Sequence, residues 1–300
     1  MINEFINICK KNQKELLIYL NSYLLKYYSK DKIESTNSYI YVQGDIPVLL
    51  VAHLDTVHSE KPKNIWYNNK GCIKADEGIG GDDRCGVFII TNLIKESPRP
   101  SLLFTTDEEI GGVGATEFCS VHNSLDVNCM IELDRRGKND VIRYSDENDE
   151  LIKIFECLGY KEDFGSFTDI SILSPHFNIS GVNLSVGYYN AHTKDEYVDV
   201  NHMKSTEQRV KKFLKNEANY NKKYEYKEEF RDPYYCYFGI QACDFCNKPI
   251  RRFDDLIETP DGICCNECFK AYQNFYEECP NCGSLKWKDD ICFDCGYYYE

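Results

Sequence analysis

No apolar run in this chain approaches the roughly 18 residues that a membrane-spanning helix needs. The opening stretch MINEFINICKKNQKE mixes charge with apolar groups and lacks the long apolar core of a signal peptide. Positive charge is in deficit, with 35 Lys and Arg against 49 Asp and Glu, a net −14. A chain this acidic is repelled by a phosphate backbone and by an anionic bilayer, so neither nucleic acid nor membrane is an expected partner. No internal repeat is present apart from a Cys-x-x-Cys knuckle near the C-terminus. Gly78, Gly80 and Gly81 resemble a phosphate loop only superficially, because no Lys-Ser or Lys-Thr follows them. A soluble, cytoplasmic protein is the expectation.

The 300 residues are 42% hydrophobic, enough for one large domain plus a small one. Ten of the sixteen cysteines fall after residue 235, many in Cys-x-x-Cys pairs. In a cytoplasmic chain that pattern points to zinc rather than to disulfides.

Residues 3–29 carry apolar groups at three- and four-residue steps and predict a helix. Ile46–Ala52 is a continuous apolar run that suits a buried parallel strand ending at His53. Further strands are expected over Ser101–Thr106, Val127–Leu133 and Val182–Tyr188. Helices are expected over Arg84–Lys95, Glu147–Leu158 and Val200–Asn216. This alternation predicts an α/β fold, a mainly parallel (mixed) sheet flanked by helices. The expected organisation is a catalytic domain over 1–216, a charged, tyrosine-rich linker over 217–235, and a cysteine-rich zinc-binding domain over 236–300.

Five segments bearing acid or histidine follow one another along the first domain: His53-Leu54-Asp55, Asp82-Asp83, Glu108-Glu109, Glu132-Leu133-Asp134 and His192. Two imidazoles and several carboxylates make a ligand set for a pair of divalent ions with open positions. One carboxylate must touch both ions, and one further group must act as a general base. The adjacent Glu108 and Glu109 offer that division of labour. Asp83 is equally suited to capping the following helix. Glu132 and Asp134 share a strand face, so spacing does not separate them as ligands. His58, His122, His176 and His202 read as surface or packing residues.

The segments VAHLDTV (51–57), GGDDRCG (80–86), TTDEEIGGVGA (105–115), IELDRRG (131–137) and NAHTKDEYVDV (190–200) resemble the zinc-dependent exopeptidase superfamily. That superfamily includes peptidase T, carboxypeptidase G, aminoacylases and dinuclear aminopeptidases, and the resemblance covers roughly residues 35–215. It implies the phosphorylase/hydrolase-like exopeptidase fold and two catalytic zinc ions. By resemblance, His53 and Asp134 bind the first ion and Glu109 and His192 the second. Asp82 bridges them, through a cis peptide to Asp83. Asp55 orients the His53 ring, and Glu108 is the general base for a metal-bridging hydroxide that attacks an amide carbonyl. The turn after Asp134 favours it over Glu132. GSFTDISIL (165–173) resembles a pocket-wall segment, making Ser166, Thr168 and Asp169 candidate substrate contacts. Tyr188, Tyr189 and Tyr197 are candidate oxyanion partners, although packing is the commoner use of tyrosine. The chain between Asp134 and His192 is too short for the lid domain of the peptidase T and carboxypeptidase G relatives.

In the tail, Cys243, Cys246, Cys265 and Cys268 form one quartet spaced for a four-thiolate zinc site. Cys279, Cys282, Cys292 and Cys295 form a second, and CPNCG (279–283) resembles a zinc-ribbon knuckle. Cys264, adjacent to Cys265, and the nearby Cys236 leave the partition open. From Cys236 to Glu300 there are 6 Lys and Arg against 12 Asp and Glu, which favours a protein partner or a structural cap over nucleic acid. Three functional readings follow: a two-zinc aminopeptidase or related exopeptidase acting on a peptide; an N-acyl amino acid deacylase or carboxypeptidase; and a retired, zinc-binding adaptor working through its tail. The intact Glu108 speaks against the third.

Overall fold

The computed structural model describes residues 2–165 and 167–228, and within the C-terminal segment residues 243, 245, 256–259, 262–265, 268–270, 287–288 and 291–292. The chain divides into two compact units, Met1–Glu229 and Phe230–Glu300.

The first unit runs α1 (Ile2–Cys9), α2 (Gln13–Leu24), β1 (Ile33–Ser35), β2 (Tyr39–Val42), β3 (Ile46–His53), β4 (Trp66–Tyr67), β5 (Cys72–Lys74), α3 (Gly81–Leu93), β6 (Pro100–Thr105) and α4 (Val113–Val121). It continues with β7 (Cys129–Arg135), β8 (Asp140–Ile142), α5 (Asp149–Cys157), β9 (Lys161–Glu162), α6 (Asp169–Phe177), β10 (Gly181–Ser185), β11 (Tyr188–Tyr189), β12 (Tyr197–Asp199) and α7 (Val200–Leu214). The expected single N-terminal helix is two. Asn12 caps α2 by accepting from the Glu15 N–H, while the Glu15 carboxylate accepts from the Asn12 N–H.

Eight strands form one sheet in the order β1-β2-β6-β3-β7-β10-β8-β9. The central β6, β3, β7 and β10 are parallel, with antiparallel strands outside them. The mixed, mainly parallel α/β architecture expected from the sequence is therefore present. Strand alternation explains its layers. Val48, Leu50 and Ala52 of β3 pack with α1, α2, α3, α5 and α7 on one face, whereas Leu49 and Val51 pack with α4 and α6 on the other. A second, four-stranded sheet, β11-β12-β5-β4, was not foreseen; its strands are too short to carry a period.

The first part of the expected linker belongs to this unit. Tyr220 and Tyr224 are buried, and their hydroxyls donate to the carbonyls of Leu214 and Asn219. Tyrosine here marks burial with a polar tip rather than a solvated tether. No helix among the described residues is long and apolar enough to cross a membrane.

Candidate functional site

Parallel strands end on one edge, and the candidate residues gather there. His53 is the last residue of β3, Glu108 and Glu109 follow β6, and Asp134 lies near the end of β7. Asp82 and Asp83 open α3 in non-helical conformations joined by a cis peptide, as the resemblance implied. His192 comes from the loop after β11, at φ 65°.

The two carboxylate oxygens of Asp82 face different imidazoles. Oδ1 lies 3.1 Å from His53 Nε2 and Oδ2 lies 3.3 Å from His192 Nε2. Asp134 Oδ1 is 3.4 Å from the same His53 nitrogen, and Glu109 Oε2 is 3.1 Å from the same His192 nitrogen. The candidate side chains thus gather about two imidazole nitrogens, with the Asp82 carboxylate between them. Ligand atoms of His53, Asp82 and Glu109 all lie within 4.8 Å of one another, as do those of His53, Asp83 and Asp134. Asp83 competes with Asp82 on distance alone. Asp83 is fully buried; its Oδ1 accepts from the Gly86 N–H at 2.8 Å, the capping geometry open to it from sequence, and its Oδ2 has no hydrogen-bond partner. Asp134 and Glu132 differ in placement. Asp134 lines the cavity, whereas Glu132 lies deeper in the strand and accepts from the Ile170 N–H at 3.2 Å.

Asp55 sits behind these groups. Its Oδ1 is 3.1 Å from His53 Nδ1 and accepts from the Glu108 N–H at 3.1 Å, while Oδ2 accepts from the Glu109 N–H at 3.0 Å. One carboxylate therefore fixes the ring and the two-glutamate turn together. Glu196, which the sequence reading passed over, does the same for Asp82. Its buried carboxylate accepts from the Gly80 N–H at 2.7 Å and the Asp82 N–H at 3.1 Å, and pairs with His58 Nε2 at 2.8 Å. His58 is accordingly part of the support, the packing alternative of its sequence reading. Arg84 adds a third brace, donating to the carbonyls of Leu54 and Asp55.

A cavity of about 430 Å³ opens over the site. Asp82, Glu108, Glu109, Asp134 and His192 line one side, with Tyr188, Arg135 and Arg136 also facing it. Tyr188 donates to the Asp134 carbonyl at 3.1 Å, while Tyr189 stacks on Tyr197 at 4.9 Å. Of the pocket-wall candidates, Thr168 and Asp169 are buried behind the cavity rather than lining it. Thr168 donates to Asp134 Oδ2 at 3.3 Å and Asp169 accepts from the Thr105 hydroxyl, so both support the site from beneath. Ser166 lies outside the described residues.

Crowding of carboxyls sets the electrostatics. Burial pushes Glu108 up to about 7 and holds Asp134 and Asp83 well above the usual carboxylate range. The hydrogen bond to Asp82 pushes His192 up to about 9. Glu109 Oε1 is buried with no hydrogen-bond partner, and so are Asp83 Oδ2, Glu132 Oε1 and Asp169 Oδ1. Too many acids, orphaned carboxylate oxygens and convergent imidazole nitrogens are what a site built for divalent cations presents; the residues fit zinc.

No family model matches the chain, and no curated protein matches it. Solved structures do. An aminopeptidase PepT from Bacillus cereus ATCC 10987 aligns with a TM-score of 0.54 at 14% identity, over 70% of this chain and 95% of that one. A tripeptidase from Staphylococcus aureus gives 0.58 at 14%, over 71% and 96%. An aminopeptidase from the archaeon Desulfurococcus kamchatkensis gives 0.55 at 11%, over 71% and 95%. The chain has the fold of these peptidases.

In the second unit, Cys243, Cys265 and Cys268 converge. Cys246, Cys279, Cys282 and Cys295 lie outside the described residues, and Cys292 is placed only as the end of a two-residue strand, Ile291–Cys292.

Proposed function

We propose that the first unit is a two-metal amidohydrolase of the exopeptidase kind, with His53, Asp82 and Asp134 holding one ion and Asp82, Glu109 and His192 the other. The observation that carries this reading is the Asp82 carboxylate, with one oxygen toward each imidazole and Glu108 beside it in the cavity. The peptidase fold supports it. Bound divalent zinc supplies Lewis acidity toward a carbonyl and toward water. The chain's own residues do the rest. Glu108, in the cavity beside Asp82, takes a proton from the water whose oxygen bonds to the amide carbonyl carbon, and returns it to the nitrogen as the C–N bond breaks and the amine departs. Asp55 keeps Glu108 and the His53 ring in register through the transfer. Tyr188 anchors the Asp134 end of the cavity.

An aminopeptidase is the leading form. Arg135 and Arg136 on the cavity wall favour a second: an enzyme that reads a substrate carboxylate, such as a carboxypeptidase or an N-acyl amino acid deacylase. Hydrolysis of matched peptides with free or acetylated N-termini and free or amidated C-termini decides between them. Dependence on a free amine supports the aminopeptidase, and dependence on a free carboxylate supports the second form. No cleavage of any of them by zinc-loaded protein, or cleavage undiminished in Glu108→Gln, overturns the amidohydrolase reading.

A further inference from the structure

We infer that Cys243, Cys265 and Cys268 hold a structural zinc ion in the C-terminal unit, and that Cys264, in the middle of the same cluster, is a core residue rather than a ligand. The site uses sulfur alone and is independent of the catalytic reading above.

The first observation is convergence. Cys243 is far in sequence from the other two, yet the three sulfurs lie within 4.8 Å of one another. Tetrahedral sulfurs at a Zn–S distance of about 2.3 Å stand about 3.8 Å apart. The cluster is therefore already near coordination spacing. A disulfide brings two sulfurs together and leaves no reason for a third.

The second observation separates neighbours that sequence alone could not. Strands β13 (Leu256–Thr259) and β14 (Gly262–Cys265) form an antiparallel hairpin, with Ile257 opposite Cys264 and Leu256 opposite Cys265. Successive strand residues point to opposite faces, and the Cys264 sulfur is not part of the group that converges within 4.8 Å. Cys264 is fully buried, packed among Ile257, Ile263 and Phe269 as well as Cys243, Cys265 and Cys268. Cys265 is half-buried at the strand end, and Cys268 opens the helical turn 268–270. A strand end, two intervening residues and a helix start bring two sulfurs to one point.

Energetics supply the reason for a metal. Among the described residues, the apolar groups of this cluster are Ile257, Ile263 and Phe269. A two-stranded hairpin is marginal in water by itself, and a small domain of this kind is commonly held by a metal. On thiolate binding each thiol releases its proton to solvent, no electron is transferred, and the soft donors select zinc over magnesium or calcium. The spacing of the first quartet makes Cys246 the expected fourth ligand.

Cobalt substitution of the full-length protein tests this, because thiolate-bound cobalt has a near-ultraviolet charge-transfer band that histidine and carboxylate sites lack. We expect the band in the parent protein. Cys265→Ser/Cys268→Ser should lose about half of it, or all of it if the second quartet binds no metal, and one zinc per chain by elemental analysis. Cys264→Ala should keep the full band. Cys268→His, which retains a donor, should keep the ion with a weaker band, an outcome that simple misfolding would not give. No band in the parent overturns the site. An undiminished band in the double serine variant overturns Cys265 and Cys268 as ligands, and loss in Cys264→Ala with retention in the serine variant overturns the assignment between neighbours.

Discussion

Replacing Glu196 with Gln should weaken both the fold and the metal site, although Glu196 touches neither the cavity nor a proposed ligand side chain. The buried carboxylate accepts two backbone N–H groups and pairs with His58. Glutamine keeps the shape but has one acceptor oxygen and one donor nitrogen. With the oxygen turned toward Gly80 and His58, the new NH2 group confronts the Asp82 N–H, leaving a buried donor unsatisfied at a cost of about 1–3 kcal/mol. Loss of the charge on the remaining contacts adds about 1 kcal/mol. The opposite orientation orphans more groups. We therefore expect a destabilisation of about 2–4 kcal/mol in urea unfolding of the metal-free protein. Release of the Asp82 amide should lower zinc affinity about 10- to 100-fold, the usual effect of losing a ligand's hydrogen-bond partner. Competition with a chelating dye measures it. Stability within about 0.5 kcal/mol of the parent, or unchanged zinc affinity, would refute the view that Glu196 sets the position of Asp82.

Glu108→Gln should lower kcat about 10²- to 10⁴-fold with zinc content unchanged, checked by peptide hydrolysis and elemental analysis. Gly86→Ala should be poorly tolerated. A methyl there would stand 2.0 Å from the Leu133 carbonyl oxygen and 2.5 Å from the Asp83 carboxylate, so reduced soluble yield and a lower melting temperature are expected. Phe155→Ala removes a fully buried ring stacked on Phe213 at 5.0 Å and should cost about 3–5 kcal/mol in chemical denaturation. In chelator-treated protein, His192 rises from 6.5 to about 9 on folding. Its contribution to stability is then fully present below pH 6.5 and is lost as the pH rises through about 9, which urea midpoints across that window will show. His192→Asn should flatten that part of the profile.

The side chains that gather at the cavity were legible because several sit where a strong local pattern ends. The apolar run 46–52 stops at His53, and β6 stops just before Glu108. Ordered motifs of this kind survive without knowledge of the tertiary fold. The supports were not legible. Glu196 lies 114 positions beyond the Asp82 amide it holds, and nothing in its local sequence says that it is buried. The burial of Thr168 and Asp169 was not legible for the complementary reason: polar residues close to a cavity look like substrate contacts until their depth is known. The break between α1 and α2 was readable in principle from Asn12 and Glu15, but a continuous apolar period masked it. The Glu132–Asp134 ambiguity was real in one dimension, since two residues on one strand face differ only in depth.

Asp55 has a consequence for how such a protein can diversify. Through one side chain it joins the end of β3 to the turn after β6, so the reacting groups on that side move as a single rigid piece. The arginine-bearing wall begins only at residue 135, and no hydrogen bond from Asp55 reaches it among those described. On the proposed function, the bracing by Asp55 and the arginines of the cavity wall are therefore separable: Arg135 and Arg136 can be varied for a new substrate while the braced segments keep their geometry, and a change at Asp55 would break the reaction first.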